Sequence, residues 1–124
     1  MSAGIYNTDI EQGATWSRVI TWKDSSGVGI NLTGYSVSGK VKLRISDKKE
    51  LTTFTVVISN QTTNPGQFTV SLSAATTASF PYKYTENGSR EVLELQYDIE
   101  ATIGSTVYRI LQGVLSEDPE ATKT

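Results

Sequence analysis

The sequence predicts an all-β domain, an antiparallel β-sandwich, from three observations. Apolar and polar residues alternate with a period of two in several segments, which is typical of strands with one buried face. Turn-forming Gly, Asn, Asp and Pro residues separate these segments at spacings of roughly ten residues. Thr and Ser are abundant, and they favour strands and turns respectively. The 124 residues are predicted to form one domain, 1–124, with short polar arms at its ends, Ser2–Glu11 and Glu117–Thr124.

The most regular alternation lies towards the C-terminal end and predicts a β-hairpin. Its apolar positions are Leu93, Leu95, Tyr97, Ile99, Ala101 and Ile103. Gly104-Ser105 suits a two-residue type II′ turn, and Thr106–Val114 continues as the second strand. Aligning Ile103 with Thr106 pairs Ala101 with Tyr108, Ile99 with Ile110, Leu95 with Val114 and Glu100 with Arg109. This register places the apolar residues on one face and predicts a Glu100–Arg109 ion pair on the other.

Further strands are predicted ahead of the hairpin. They cover Ala14–Trp22, Ser36–Ser46, Thr53–Ile58 and Phe68–Leu72. Ile5–Gly13 is a polar lead-in, either a short edge strand or an arm. With the hairpin, this gives about seven strands in an immunoglobulin-like sandwich. Ser73 is placed to cap one helical turn, and an aromatic loop follows from Phe80 to Arg90.

Three sets of side chains are candidates for a partner interface. Arg18 interrupts the apolar face that Trp16 and Trp22 share, so it is expected to reach a rim or a partner. A basic row on the strand Ser36–Ser46 suits an anion or an acidic partner, unless it is a solvated face. The row consists of Lys40, Lys42 and Arg44. The aromatic loop contributes Phe80, Tyr82 and Tyr84, a residue type that often anchors interfaces.

Composition argues against several classes of function. The chain has no Cys and no His, which removes thiolate nucleophiles, the commonest general base and the usual zinc ligands. A net charge of −2 argues against a nucleic-acid surface, and no apolar run reaches the ~18 residues of a membrane span. No signal peptide is seen, so the protein is expected to stay soluble in the cell that makes it and to leave that cell only by another route, such as lysis or assembly. Asp98 and Glu100 are interpreted as structural, and we expect no enzyme activity and no cofactor.

Several stretches together resemble a known family. In chain order they are Gln12–Trp16, Ile20–Asp24, Ile30–Tyr35, Tyr97–Glu100, Tyr108–Gly113 and Pro119–Thr122. This order resembles small β-sandwich virion proteins of tailed bacteriophages, and it is similar to the N-terminal modules of baseplate and tail-tip proteins that carry receptor-binding fibres. The resemblance covers nearly the whole chain. The chain departs from the family pattern at Arg18, where a more apolar residue is usual, and in its long loop after Phe80.

The resemblance implies a non-enzymatic structural protein located in the virion tail. Its expected role is an adaptor that links fibres or spikes to the tail, working as a homo-oligomer or ring subunit among other virion proteins. A capsid decoration protein is one alternative. A carbohydrate-binding module is another, with Trp16, Tyr82 or Tyr84 as the sugar platform. Two features of the chain itself favour assembly, since a sandwich exposes sheet edges and polar arms are suited to adding a strand to a neighbour.

Overall fold

The computed structural model describes residues 4–44, 49–80, 83–84, 90–91 and 93–118 of the chain, more than half of them in strands. In chain order the elements are β1 (Gly4–Ile5), β2 (Thr8–Glu11), β3 (Trp16–Thr21), β4 (Ser36–Lys42), β5 (Thr52–Thr53), β6 (Thr55–Ile58), β7 (Gln67–Leu72), α1 (Ala74–Ala78), β8 (Lys83–Tyr84), β9 (Arg90–Glu91), β10 (Leu93–Ile103) and β11 (Thr106–Asp118).

Two packed sheets form the sandwich, which confirms the predicted all-β fold. The first sheet has the strand order β1-β11-β10-β4-β5, and β2 also pairs with β11. The second sheet has the order β3-β7-β6, and β8 and β9 form a separate two-stranded ladder. Alternation sets which side chains enter the core: Phe68, Val70 and Leu72 of β7 are each at most 3% exposed. The predicted cap is also confirmed, because Ser73 accepts a hydrogen bond from the Thr76 N–H at 3.2 Å.

The β10–β11 hairpin has the predicted turn but only half of the predicted register. Gly104 has a φ of 59° and Ser105 does not have a positive φ, the combination of a type II′ turn. Pairing runs as predicted from Ile103↔Thr106 to Glu100↔Arg109. A β-bulge then shifts the register, so that Ile99 lies opposite Leu111 and Leu95 opposite Leu115. The predicted partners Ile110 and Val114 are therefore wrong by one residue.

The N-terminal segment pairs with its own chain. β1 and β2 both run parallel to β11, on the side of β11 that faces away from β10. Between them the Asn7 side chain accepts the Val114 N–H at 3.0 Å, which keeps the strand hydrogen-bonded through the interruption. Ile10 is 1% exposed and belongs to the core. Of the two alternatives for this lead-in, the short edge strand is therefore the one observed, and the expectation that this end does not join the core is corrected at Ile10.

Phe54 connects the two sheets. It lies between β5, which belongs to the first sheet, and β6, which belongs to the second. Its ring stacks on Trp16 with ring centres 5.5 Å apart and meets Tyr97 edge-on at 5.9 Å. Its N–H donates to the Gly39 carbonyl at 3.0 Å. One aromatic side chain therefore contacts core residues from both layers.

Replacing Gly113 with Ala should destabilise the N-terminal pairing. A Cβ atom at this position would overlap the Tyr6 carbonyl, which is backbone and cannot rotate away. We expect a loss of about 1–3 kcal/mol in the free energy of unfolding, with faster amide exchange in β2. Gly4→Ala is the control, because its added methyl group would meet only ordinary contacts. Equal stability of the two variants would contradict the close approach of Tyr6 to β11.

Candidate functional site

Arg18 lies half-buried between β3 and the N-terminal segment, and its contacts are internal. Its guanidinium donates to the Thr8 hydroxyl at 3.1 Å and lies 3.6 Å from the Asp9 carboxylate. The same group stands over the Trp16 ring, 5.1 Å from its centre. Hydrogen bonds from Thr8 and Arg18 also lower the pKa of Tyr6. The predicted interface residue therefore connects the second sheet to strand β2 of the first.

The basic row lies on the outer face of the first sheet, beside acidic residues. Lys40 is exposed and lies opposite Asp98 of β10. The Asp98 carboxylate is 3.7 Å from the Arg109 guanidinium. The predicted Glu100–Arg109 ion pair is corrected, because these two residues are opposite each other but Arg109 forms its ion pair diagonally with Asp98. The outer face thus alternates in charge across β4, β10 and β11.

The other two basic residues occupy different positions. Lys42 is half-buried at the end of β4, opposite Gln96. Arg44 is exposed and lies two residues beyond the strand. The predicted strand Ser36–Ser46 therefore ends at Lys42. Lys40 and Lys42 therefore share one face of β4, whereas Arg44 follows the end of the strand and is not part of this row.

Of the predicted aromatic set, Phe80 is the member whose side chain the structure describes. Phe80 is 2% exposed, and its carbonyl accepts a hydrogen bond from the Gln12 side chain at 3.1 Å. Its assignment to the interface is corrected, because α1 ends just before it and turns its ring into the core. Tyr82 lies outside the described residues, and Tyr84 is described only as part of the β8 backbone. Trp16 is 5% exposed, so it is not available as a flat sugar platform.

Sequence reasoning missed Glu117, which is buried at the end of β11. It was placed in a polar tail, yet it is fully buried and lies between Ile10 of β2 and Leu93 of β10. Within the part of the chain that the structure describes, neither carboxylate oxygen has a hydrogen-bond partner. Burial raises the pKa of Glu117 to about 7, since an apolar environment disfavours the ionised form. The signal that could have found it is its period-two spacing from Leu115.

A cleft of about 690 Å³ opens where the end of β3 lies against the bulged part of β11. Its apolar lining includes Ile20, Trp22, Ile110 and Leu111. Asp24 lies at its rim, but its carboxylate accepts the N–H groups of Ser26 and Val28 at 2.9 and 3.0 Å and so is committed to the turn. The cleft offers apolar contact to a side chain from outside.

Among the described residues, no group of three or more acidic side chains is placed to hold a metal ion. Within the same ranges, no helix has the length and apolar character needed to cross a membrane. No protein-family model matches the chain, and no curated protein matches it with significant sequence similarity.

Replacing Arg18 with Met should weaken the attachment of β2. Met keeps much of the aliphatic volume but removes the bond to Thr8 and the contact with the Trp16 ring. We expect a loss of about 1 kcal/mol in the free energy of unfolding and faster amide exchange in residues 8–11. Lys40→Met is the control, since Lys40 is exposed on a central strand. Equal exchange of β2 in both variants would mean that Arg18 does not hold this strand.

Glu117 should make the protein less stable as the pH rises. Its folded-state pKa of about 7 lies above the ordinary value of 4.5, so folding favours the protonated form. The contribution of this group to the free energy of unfolding is therefore largest below pH 4.5. It falls as the pH rises from 4.5 through 7, and above that range the free energy of unfolding is roughly 3 kcal/mol lower.

The measurement is the free energy of unfolding from pH 5 to pH 8 for the parent chain and two variants. Glu117→Gln should remove most of the decline, because its side chain does not ionise. Glu94→Gln changes an exposed carboxylate on β10 and should leave the decline intact. An identical pH profile in the parent chain and Glu117→Gln would show that Glu117 is not the group responsible.

Proposed function

We propose that this chain is a structural virion protein of a tailed bacteriophage, an adaptor in the tail or baseplate that links receptor-binding fibres or spikes to the tail. It acts without catalysis, as a homo-oligomer or ring subunit among other virion proteins. The sequence resemblance described above suggests this class. The structural observation that carries the adaptor role is that the two outer faces of the sandwich differ in chemistry.

The outer face of the first sheet is charged. Lys40 of β4, Asp98 of β10 and Arg109 of β11 lie on it, and Glu100 lies directly opposite Arg109. Charges of both signs therefore alternate across three adjacent strands. A partner for this face needs a complementary charge pattern, which favours selective rather than general attachment.

The outer face of the second sheet carries no charge in its three strands. Val19, Thr69 and Val57 lie in one row across β3, β7 and β6. Ser17, Ser71 and Thr55 form the adjacent row. Residues 51–82 contain no Asp, Glu, Lys or Arg, so all 11 basic and all 13 acidic residues of the chain lie elsewhere. Low charge is typical of the centre of a protein interface.

Two faces of different chemistry suit two different partners. A charged face selects one protein by charge complementarity, and a neutral hydroxyl-rich and β-branched face selects another by shape and hydrogen bonding. An adaptor requires such a pair of surfaces. A single-sided module needs only one of them.

The proposal is tested by locating the chain in purified phage particles. Mass spectrometry should detect it, and antibodies carrying gold should label the tail end of the particle in micrographs. An antibody against the major capsid protein serves as the control for labelling of the head. Label on the head would instead favour a capsid decoration protein, and absence from the particles would overturn the virion role altogether.

A charge-reversed variant connects this test to the structure. Phage complemented with Lys40→Glu should assemble tails that lack either this chain or the protein it carries, because the variant reverses one charge in the pattern that a partner of this face has to complement. Lys40→Ser, which removes the charge without reversing it, is the matched control. Normal particles with the Glu variant would show that the charged face makes no contact in the tail.

A further inference from the structure

Strand β6 presents an open edge. It is the last strand of the second sheet, and β7 is its partner on one side. The Ser59 N–H donates to the Gln67 carbonyl at 3.1 Å, so odd-numbered residues face β7 and even-numbered residues face away. Val56 and Ile58 therefore direct their N–H and C=O groups outward. No strand in the described part of the chain lies on that side.

Strand β6 lacks the charged and proline residues that commonly protect an edge strand. Its residues, Thr55–Ile58, include no Lys and no Pro, and three of the four are β-branched and apolar. Val57 is 62% exposed and Ile58 is 38% exposed. The opposite edge of the same sheet is different, because β3 carries Arg18 on its inward face, a recognised device against edge pairing.

We infer that β6 pairs with β6 of a second copy of this chain across a two-fold axis. Val57 lies opposite Val57 of the partner subunit, and Val56 and Ile58 exchange main-chain hydrogen bonds with Ile58 and Val56 of the partner subunit. The two three-stranded sheets then become one continuous six-stranded sheet with the order β3-β7-β6-β6-β7-β3. The hydrogen bonds between the two subunits then pair the outward N–H and C=O groups of Val56 and Ile58.

Charge indicates that the occupant is a second copy. In a two-fold contact, each side chain near the axis meets its own equivalent, so a charged patch would repel itself. The patch around β6 lies within the uncharged residues 51–82, and its neighbours across the sheet, Thr69 and Ser71, are also neutral. Self-pairing here has no like-charge cost. This inference is independent of the virion role, since it concerns the isolated chain.

The test measures self-association by sedimentation over a wide range of protein concentration. The parent chain should show a monomer–dimer equilibrium. Val57→Lys should raise the dimer Kd by about tenfold or more, because it places two ammonium groups opposite each other. Val19→Lys is a closely matched control: Val19 is 63% exposed, lies opposite the same Thr69 and belongs to the other edge strand. This variant should leave the Kd unchanged.

A second variant separates main-chain pairing from side-chain contact. Ile58→Pro removes an outward N–H while leaving the ladder to β7 intact, and it should also weaken the dimer. Thermal unfolding confirms that each variant is folded. A parent chain that stays monomeric at every concentration overturns the inference. A dimer that Val19→Lys disrupts and Val57→Lys does not also overturns it, since β3 would then be the pairing edge.

Discussion

Strand β11 is the constraint on which the rest of the structure depends, because it is paired along both sides. β10 runs antiparallel on one side, and β1 and β2 run parallel on the other. A strand held in this way has little freedom to slip, since any shift would break two ladders at once. The bulge at Ile110 sets which residues of its second half face the core, and they are Leu111, Gly113, Leu115 and Glu117. Gly113 allows the Tyr6 backbone to approach β11 closely, and the Tyr97 hydroxyl donates a hydrogen bond to the Tyr6 carbonyl.

Period-two patterning predicted the strands and the turn, but it could not predict the bulge. From Tyr108 to Leu115 the apolar residues fall on both odd and even positions, so either register buries a similar set. A bulge adds one residue to one strand only, and its position depends on tertiary packing. Here the extra residue is Ile110, which is 8% exposed and belongs to the hydrophobic core. The sequence therefore predicted the half of the register next to the turn, where loop length fixes the pairing, and not the half beyond it.

The candidate site was predicted less well, because residue type was used as a guide to exposure. The sequence predicts Phe80 as an interface residue in an aromatic loop and Glu117 as part of a polar tail, yet both are buried. In each case the position along an element decided the outcome: Phe80 follows the helix that turns it inward, and Glu117 stays on the inward side of a strand longer than its apolar run. A buried carboxyl group is costly enough that sequence reasoning places it outside by default. At Glu117 the fold therefore departs from the pattern of apolar residues inside and charged residues outside.

The N-terminal segment shows how the answer about partners changes once the pairing is known. The polar composition of Ser2–Glu11 predicts an arm that adds a strand to a neighbouring subunit. Residues 4–11 instead add strands to their own sheet, and Arg18 holds them there from the other layer. Arg18 thus has two effects. It helps to hold β2 against β11, which covers that edge of the first sheet, and it places a charge on the inward face of β3, which protects that edge of the second sheet. Because residues 4–11 are already paired within the chain, the association with another copy that we propose depends on strand β6 instead.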